Sequence, residues 1–276
     1  MFDPLAADPP RDPDFPATTP ALTFDSGGAS LLGVLHVPAG RGPHPVVVLL
    51  HGFPGNERNF DLAQVLRRAG YASLVFHYRG SWGVGGSWSW AHVLEDAAAV
   101  VAGLRDEELA AAHRLDPRRL VLIGHSMGGF AALMTAATEP SVAAVASVAG
   151  FDFGTVAALC RANPSVRASY VEALTRELGP LRCTSGEALV SEMEAAGDSW
   201  RLAGLAPLLA ERSVLLIGTG LDTVTPYDVH HEPVVTAYQA QPVGYLEHHL
   251  FATDHALSDH RVTLARTILS FLARCP

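Results

Sequence analysis

Short, uninterrupted runs of β-branched and other apolar residues recur along the chain and restrict the folds open to it. Two examples are "PVVVLL" (45–50) and "RRLVLIG" (118–124). A strand that is apolar at nearly every position is covered on both faces, as is typical of a parallel sheet between layers of helices. Helical patterns separate these runs, so we predict an α/β fold with a mostly parallel central sheet and right-handed crossovers.

The order of the segments predicts one core interrupted by one insertion. "ALTFDS" and "SLLGVLHVP", separated by a glycine pair, predict an antiparallel hairpin at the start of the core. Strands and helices alternate through residues 21–150 and 213–276, whereas residues 151–212 are helical with turn breaks. We predict an inserted helical cap at 151–212; extra helices that only cover a sheet edge are the alternative. Residues 1–20 are predicted to be a loosely ordered arm.

Capping signals predict where several helices begin. Asn59, Thr225 and Ser258 each precede a helical pattern, and side chains of these types accept hydrogen bonds from first-turn N–H groups. We therefore predict helix starts at these three residues. A long Ala-rich helix is predicted from about Ala91 to His113, and "PVGYLEHHL" (242–250) is predicted to be the last strand.

Composition excludes several classes of function. All 19 basic residues are arginines, so no lysine is present to form a Schiff base with pyridoxal phosphate. The net charge of −9 without a basic run argues against nucleic acids or anionic membranes as partners. Three widely spaced cysteines form neither a disulfide framework nor a zinc site. We expect no cofactor.

The sequence contains no recognisable signal peptide, membrane-spanning segment or metal-binding motif. "MFDPLAADPPRDPDFP" is acidic and Pro-rich where a signal peptide is basic and then apolar, and no apolar run is long enough to span a bilayer. We expect a cytoplasmic protein. Histidines adjacent in sequence point apart on a helix or strand, and no H-E-x-x-H spacing occurs, so we expect no metal site.

A candidate nucleophile stands between a predicted strand and a predicted helix. The stretch 124–128, "GHSMG", matches G-x-S-x-G in that context. A serine on so tight a bend has a strained backbone, and the flanking glycines remove Cβ atoms from crowded positions. The turn presents the Ser126 hydroxyl at the carboxyl edge of the sheet, where open α/β sheets bind ligands. We predict Ser126 as a nucleophile; a capping serine in a Gly-rich turn is the structural alternative.

A serine nucleophile needs a base to accept its proton and an acid to orient that base. His255 lies in the loop after the predicted last strand, at the same sheet edge as Ser126, and is the predicted base. Asp222 follows the tip of the preceding strand and is the predicted acid, with Asp152 as the competing acid. Other histidines nearby fall within the last strand or the final helix. These are His248, His249 and His260.

Two backbone amides are predicted to stabilise an oxyanion. The amide of Met127 opens the helix that follows Ser126. The second donor is expected in the loop after "PVVVLL", which reads "HGFPG" (51–55). Pro54 has no N–H group, so Phe53 is the predicted donor.

Residues that contact a substrate are sought in the loops at this edge. The loop "RGSWGVGGSWSW" has neither G-x-G-x-x-G nor a Walker lysine, so we do not expect it to bind phosphate. Its tryptophans Trp82, Trp88 and Trp90 are candidates for lining an acyl pocket or for packing the loop. We predict contact with substrate for Trp82, and also for Asp152 and Phe153 at the start of the insertion.

With these residues identified, the chain resembles the serine α/β-hydrolase family from about residue 20 to its end. The matching stretches, in the order of the family, are "HGFPG", "GHSMGG", "GTGLDTVTP" and "TDHALSDHR". The first, the last and "YRGSWG" are most similar to bacterial hydrolases near the dienelactone-hydrolase and acylaminoacyl-peptidase branches. The resemblance implies a triad of Ser126, His255 and Asp222, with the amides of Phe53 and Met127 as the oxyanion hole. Dienelactone hydrolases use Cys as nucleophile, and the related oligopeptidases carry a β-propeller for which this chain has no room.

The predicted function is hydrolysis of a small-molecule carboxylic ester through an acyl-enzyme. The same machinery fits an amide or short-peptide hydrolase, and also an acyltransferase to an alcohol or thiol. A non-catalytic ligand-binding protein of the same fold is the hypothesis from a different class, since a fold alone does not fix a function.

Overall fold

A single eight-stranded sheet runs through the computed structural model, which describes residues 2–241 and 244–275. The strands are β1 (Ala21–Ser26), β2 (Ala29–His36), β3 (His44–Leu50), β4 (Ala72–Phe76), β5 (Leu115–His125), β6 (Val142–Val148), β7 (Ser213–Thr219) and β8 (Tyr245–Phe251). Their order is β1-β2-β4-β3-β5-β6-β7-β8. β2 pairs antiparallel with β1 and β4, and all other neighbouring pairs are parallel. The predicted fold class and the predicted hairpin are confirmed.

Helices cover both faces of this sheet. They are α1 (Phe60–Arg68), α2 (Trp90–Leu104), α3 (Glu107–Ala112), α4 (Met127–Thr138), α5 (Phe153–Ala162), α6 (Pro164–Arg176), α7 (Gly186–Ala196), α8 (Tyr227–His230), α9 (Glu232–Gln239) and α10 (Arg261–Leu272). Apolar side chains of α1 and α10 form the core on one face, and those of α2, α4 and α9 form it on the other. The continuous apolar runs in the central strands are buried because both faces are covered.

The predicted helix start at Asn59 is confirmed, since α1 begins directly after it, but neither Asn59 nor Ser258 caps a helix with its side chain because other groups bind these side chains. Asn59 precedes α1 with φ 59° and makes no cap hydrogen bond; its Oδ1 accepts a hydrogen bond from Arg261 at 2.8 Å. Ser258 donates its hydroxyl proton to Asp254 at 2.7 Å, and α10 begins only at Arg261. His260, predicted within this helix, therefore precedes it.

Two further helix predictions are corrected. The helix predicted over 91–113 is two helices, because Asp106 accepts a hydrogen bond from the amide of Leu109 and starts α3. Thr225 does not cap α8; its hydroxyl donates to the carboxylate of Asp222. The last strand is β8, and Pro242 and Val243 of its predicted range lie outside the described residues.

The segment 151–212 connects β6 and β7, which are neighbours in the sheet. All of its residues are described, and none belongs to a strand of the sheet: it contains α5 to α7 and two 3-10 helices. One isolated bridge joins Leu181 to Ser81. The arm also contacts the core, since Thr18 bridges Val37. None of the helices described in the structure is long and apolar enough to cross a membrane.

Candidate active site

Ser126 stands at the turn where β5 ends and α4 begins, with φ 57° and ψ −122°. Positive φ is disfavoured for a residue that has a Cβ, so the packing around the turn must hold it in place. A Cβ on Gly124 would lie 1.8 Å from the carbonyl oxygen of Gly128, and one on Gly128 would lie 1.9 Å from that of Leu50. Only glycine fits at both positions, so the turn is possible only with this pattern.

The loop after β3 passes directly beside Ser126. A Cβ on Gly52 would lie 2.9 Å from the Ser126 Cβ and 3.5 Å from its hydroxyl oxygen, so this approach requires glycine. The buried His51 ring donates its Nδ1 proton to the Gly52 carbonyl oxygen at 2.8 Å. Because C=O and N–H point in opposite directions in a trans peptide, the Phe53 N–H points away from His51.

Neither of the two amides predicted to bind an oxyanion donates to a backbone acceptor among the described residues. The Phe53 amide has no backbone acceptor within the described part of the chain. The Met127 amide belongs to the first turn of α4, where N–H groups have no intrahelical acceptor. Both amides therefore lack a backbone acceptor among the described residues.

His255 and Asp222 are in direct contact across the ends of two neighbouring strands. Nδ1 of His255 lies 2.7 Å from Oδ2 of Asp222. The Asp222 side chain is fully buried, whereas 23% of the His255 side chain is exposed. A carboxylate only accepts, so Nδ1 carries the proton and Nε2 of the neutral ring is free to act as an acceptor.

Asp222 accepts four further hydrogen bonds. The amides of Val224 and Thr225 bond to Oδ1 at 2.7 and 3.0 Å, and the hydroxyls of Thr219 and Thr225 bond to Oδ2 at 2.7 and 2.5 Å. Burial by itself raises the pKa of Asp222, but the hydrogen bond and charge of His255 and the bonds from Thr225 outweigh it and lower this pKa far below its ordinary value. Asp222 is therefore an anion at neutral pH.

His125 contacts the backbone of His255, and this contact was not predicted from the sequence. Its Nε2 lies 2.7 Å from the His255 carbonyl oxygen, so Nε2 carries a proton. Burial, followed by the charge of His255, lowers the pKa of His125 to about 4, and the ring is neutral at neutral pH. The only feature of the sequence that points to a role for His125 is its position beside Ser126 in the motif. The contact itself joins distant segments and is not visible in the sequence.

A cavity of about 520 Å³ opens beside Ser126 and His255. Phe53 and Met127 also line it, so the structure brings these four predicted residues to one cavity. The rest of the wall is mainly apolar and comes largely from the 151–212 segment. It includes Trp90, Phe151, Phe153, Tyr170, Leu174 and Met193. No hydrogen bond joins the Ser126 hydroxyl to His255 among the described residues; such bonds often shorten only when a substrate is bound.

Of the residues predicted to contact a substrate, Phe153 lines the cavity, and Trp82 and Asp152 do not. The Trp82 Nε1–H donates to the carbonyl oxygen of Pro54 at 2.8 Å and so supports the loop after β3. Asp152 is 2% exposed and accepts a hydrogen bond from the Thr155 amide at 2.9 Å, which caps α5. The carboxylate in contact with His255 is that of Asp222.

The two histidines of β8 bond to neighbouring side chains. Nε2 of His248 lies 3.0 Å from the amide nitrogen of Gln239, and Nε2 of His249 lies 2.7 Å from a carboxylate oxygen of Glu247. In residues 2–241 and 244–275, no three His, Cys, Asp or Glu side chains are grouped so as to hold a metal ion.

Comparisons with known proteins agree with this fold. A family model described as the alpha/beta hydrolase family matches residues 47–267. An uncharacterized 31.7 kDa protein of Escherichia coli is 31% identical over 169 residues, 59% of this chain and 57% of that protein. The quorum-quenching protein AidA of Acinetobacter baumannii is 33% identical over 139 residues, 48% of this chain and 44% of that protein. The chain thus spans about half the length of these curated relatives.

Among solved structures, an esterase of Pyrococcus furiosus is similar over 97% of both chains, with a TM-score of 0.67. The two sequences are 17% identical. At that identity the likeness is one of fold, and chemistry has to be argued from the residues at the site.

Proposed function

The chain belongs to the alpha/beta hydrolase family, whose model matches most of its length, and we propose that it is a serine hydrolase that cleaves a small-molecule carboxylic ester. The observation that carries this proposal is the 2.7 Å contact between His255 and the buried Asp222, made at the cavity that Ser126 also lines. A base oriented by a buried carboxylate beside a serine on a strained turn is the arrangement that activates a hydroxyl for acyl transfer.

The first half of the proposed reaction forms an acyl-enzyme. The Ser126 oxygen attacks the ester carbonyl carbon while Nε2 of His255 takes the hydroxyl proton. Asp222 stabilises the imidazolium that forms and holds its Nδ1–H in place. The carbonyl oxygen becomes an oxyanion, which the amides of Phe53 and Met127 stabilise by hydrogen bonds. As the intermediate collapses, the C–O bond to the alcohol breaks and His255 gives its proton to the leaving oxygen.

The second half reverses these roles with water. Nε2 of His255 takes a proton from a water molecule as the water oxygen attacks the acyl carbon. The second oxyanion is bound by the same two amides, and its collapse releases a carboxylic acid and returns the proton to Ser126. An ester is favoured over an amide because an alkoxide is the better leaving group and requires less protonation by His255.

Turnover of p-nitrophenyl butyrate by the purified protein tests this proposal. Ser126→Ala is expected to lower kcat by about 10³-fold or more, because the nucleophile is lost and only binding and the oxyanion amides remain. Ser165→Ala, which alters an exposed serine that does not line the cavity, is the matched control and is expected to leave kcat unchanged. Activity that survives Ser126→Ala would contradict the proposal, as would hydrolysis of an aminoacyl p-nitroanilide by a protein that turns over no ester.

A further inference from the structure

We propose that the cavity selects esters that carry an uncharged, apolar group of medium length, and that helix α6 limits this length. The inference rests on the proposed ester hydrolysis for its chemistry. Its physical basis is separate, because it concerns which ligand atoms the cavity accepts and therefore applies to binding without turnover.

The floor of the cavity is aromatic and offers no polar atom. Trp90 and Phe153 are each 2% exposed, with ring centroids 4.7 Å apart, and Phe53 packs against Trp90 at 5.2 Å. The single polar atom of Trp90, its Nε1–H, donates to the carbonyl oxygen of Leu189 at 3.0 Å. The floor therefore presents carbon atoms to a ligand, which favours methylene groups and rings over polar substituents.

Helix α6 contributes a further part of the cavity lining. None of its residues is fully buried, although Tyr170, Ala173 and Leu174 line the cavity. Arg167 links this helix to α7 through ion pairs with Glu187 at 2.6 Å and Glu194 at 3.0 Å. A ligand that fills the space between the floor and this helix is limited in length by the side chains of α6.

Charged groups lie only at the end of this part of the lining. Arg176 and Glu177, the charged residues that line the cavity, are both exposed at the end of α6. Arg176 is already paired with Glu172 at 3.0 Å. A ligand carboxylate placed on the aromatic floor would lose its water without gaining a cation, which opposes its binding.

The size of the cavity sets the expected selectivity. About 520 Å³ lies within the range of ordinary small-molecule sites, roughly 300–1,000 Å³. Burial of one methylene contributes about 0.8 kcal/mol, which corresponds to about a 4-fold gain in affinity or in kcat/KM. This gain should continue with each methylene until the chain reaches α6 and should then reverse.

The first test is a series of p-nitrophenyl esters from acetyl to dodecanoyl, with a parallel series of alkyl acetates for the alcohol side. We expect kcat/KM to rise about 4-fold per methylene in one of the two series and then to fall. The hemisuccinate ester is expected to be at least about 10-fold poorer than the pentanoyl ester of similar length. No rise in either series, or equal turnover of the hemisuccinate, would overturn the proposal.

Substitutions on α6 test its role in limiting length. Ala173→Trp fills the cavity from a helix with no buried residue, so it should spare folding, and it is expected to shorten the best substrate by several methylenes. Ala168→Trp, on the same helix but away from the cavity wall, is the control and should leave the preference unchanged. Equal effects of the two substitutions would contradict the assignment of α6 as the limit.

A binding series separates this proposal from the chemistry. In Ser126→Ala, the affinity for methyl alkyl ketones, which have no leaving group, should rise by the same factor per methylene. If this rise in ketone affinity occurs but the unaltered protein turns over no ester, the proposed function fails and the cavity assignment stands. If ester turnover depends on Ser126 but neither series depends on chain length, the cavity assignment fails alone.

A different observation, independent of the cavity, concerns His125. We infer that His125 is a positioning residue that fixes the backbone of His255 relative to Ser126. It is 6% exposed, and its Nε2–H donates to the His255 carbonyl oxygen at 2.7 Å. His125 and Ser126 are consecutive, so this bond ties the loop that carries the base to the strand end that carries the nucleophile.

Three variants test the role of His125. His125→Phe keeps a ring but loses the donor, and we expect it to lower kcat by about 10- to 100-fold with KM unchanged, because a displacement of about 1 Å costs that much in rate. His125→Gln restores an N–H donor and should recover part of kcat. His36→Phe, at a buried histidine with no hydrogen bond among the described residues, is the control and should leave kcat unchanged.

The kcat of each variant is calculated per folded molecule. If His125→Phe does not accumulate as folded protein, His125→Met takes its place. Equal kcat in the His125 and His36 variants would overturn the inference. So would a Gln variant that is as slow as the Phe or Met variant, because the effect would then not depend on the donor.

Discussion

Replacement of Asp222 by Asn probes the proposed triad selectively. It changes a single oxygen of a carboxylate that accepts five hydrogen bonds. The amides of Val224 and Thr225 require an acceptor at Oδ1, so the Asn oxygen must stay there and its NH₂ group must replace Oδ2. This NH₂ group faces Nδ1 of His255, which then has to become an acceptor and pass its proton to Nε2. A ring protonated at Nε2 cannot take the proton of Ser126.

The expected loss in kcat for Asp222→Asn is about 10⁴-fold, or about 5 kcal/mol, which is the effect of the wrong tautomer in a Ser-His-Asp triad. Asp152→Asn is the control: the Asn oxygen can still accept from the Thr155 amide, but its NH₂ group would face the buried Leu202 amide, so it should cost about 1–3 kcal/mol in stability while leaving kcat within about 10-fold. Steady-state hydrolysis of p-nitrophenyl butyrate measures both, with circular dichroism to verify folding. A larger loss in the Asp152 variant, or full activity of Asp222→Asn, would contradict the role of Asp222 as the acid that orients His255.

Three further predictions concern stability. Gly128→Ala should prevent correct folding, because its Cβ would lie 1.9 Å from a carbonyl oxygen, whereas Gly85→Ala, with nothing within 4 Å, should fold normally; expression and thermal melting compare them. Burial lowers the pKa of His125 and of His230 to about 4, so the unfolded chain binds protons between about pH 6.5 and 4 that the folded chain does not. The melting temperature should therefore fall as pH drops through this window, and a constant or rising value would contradict it. Glu192→Ala should lower the free energy of unfolding by about 1–3 kcal/mol, since this carboxylate accepts hydrogen bonds from the first two amides of α2. A melting temperature equal to that of the unaltered protein would contradict this prediction.

The sheet and the turn at Ser126 were predictable from sequence because local chemistry determines them. Apolar runs indicate strands covered on both faces, and a serine at positive φ between glycines has few other structural uses. The positions of Asp222 and His255 follow from the same logic, since the carboxyl ends of parallel strands meet at one edge of the sheet. Their direct contact agrees with this expectation, and their catalytic roles stay a prediction.

Features that depend on tertiary contacts were not predictable. Asn59 and Ser258 have the side chains of helix caps, but distant or neighbouring groups bind them instead. His125 bonds to a residue 130 positions away. Trp82 supports a loop beside the cavity and does not line it. In each case a polar atom finds its partner through the packing of loops, about which residue type and spacing carry little information.

The central claim, that Ser126 is an activated nucleophile, is tested most directly by labelling the protein with a fluorophosphonate and locating the adduct by mass spectrometry. We predict one adduct on Ser126, absent in Ser126→Ala and formed much more slowly in His255→Ala, since the base activates the hydroxyl. An unlabelled protein, or an adduct on any other residue, would contradict it.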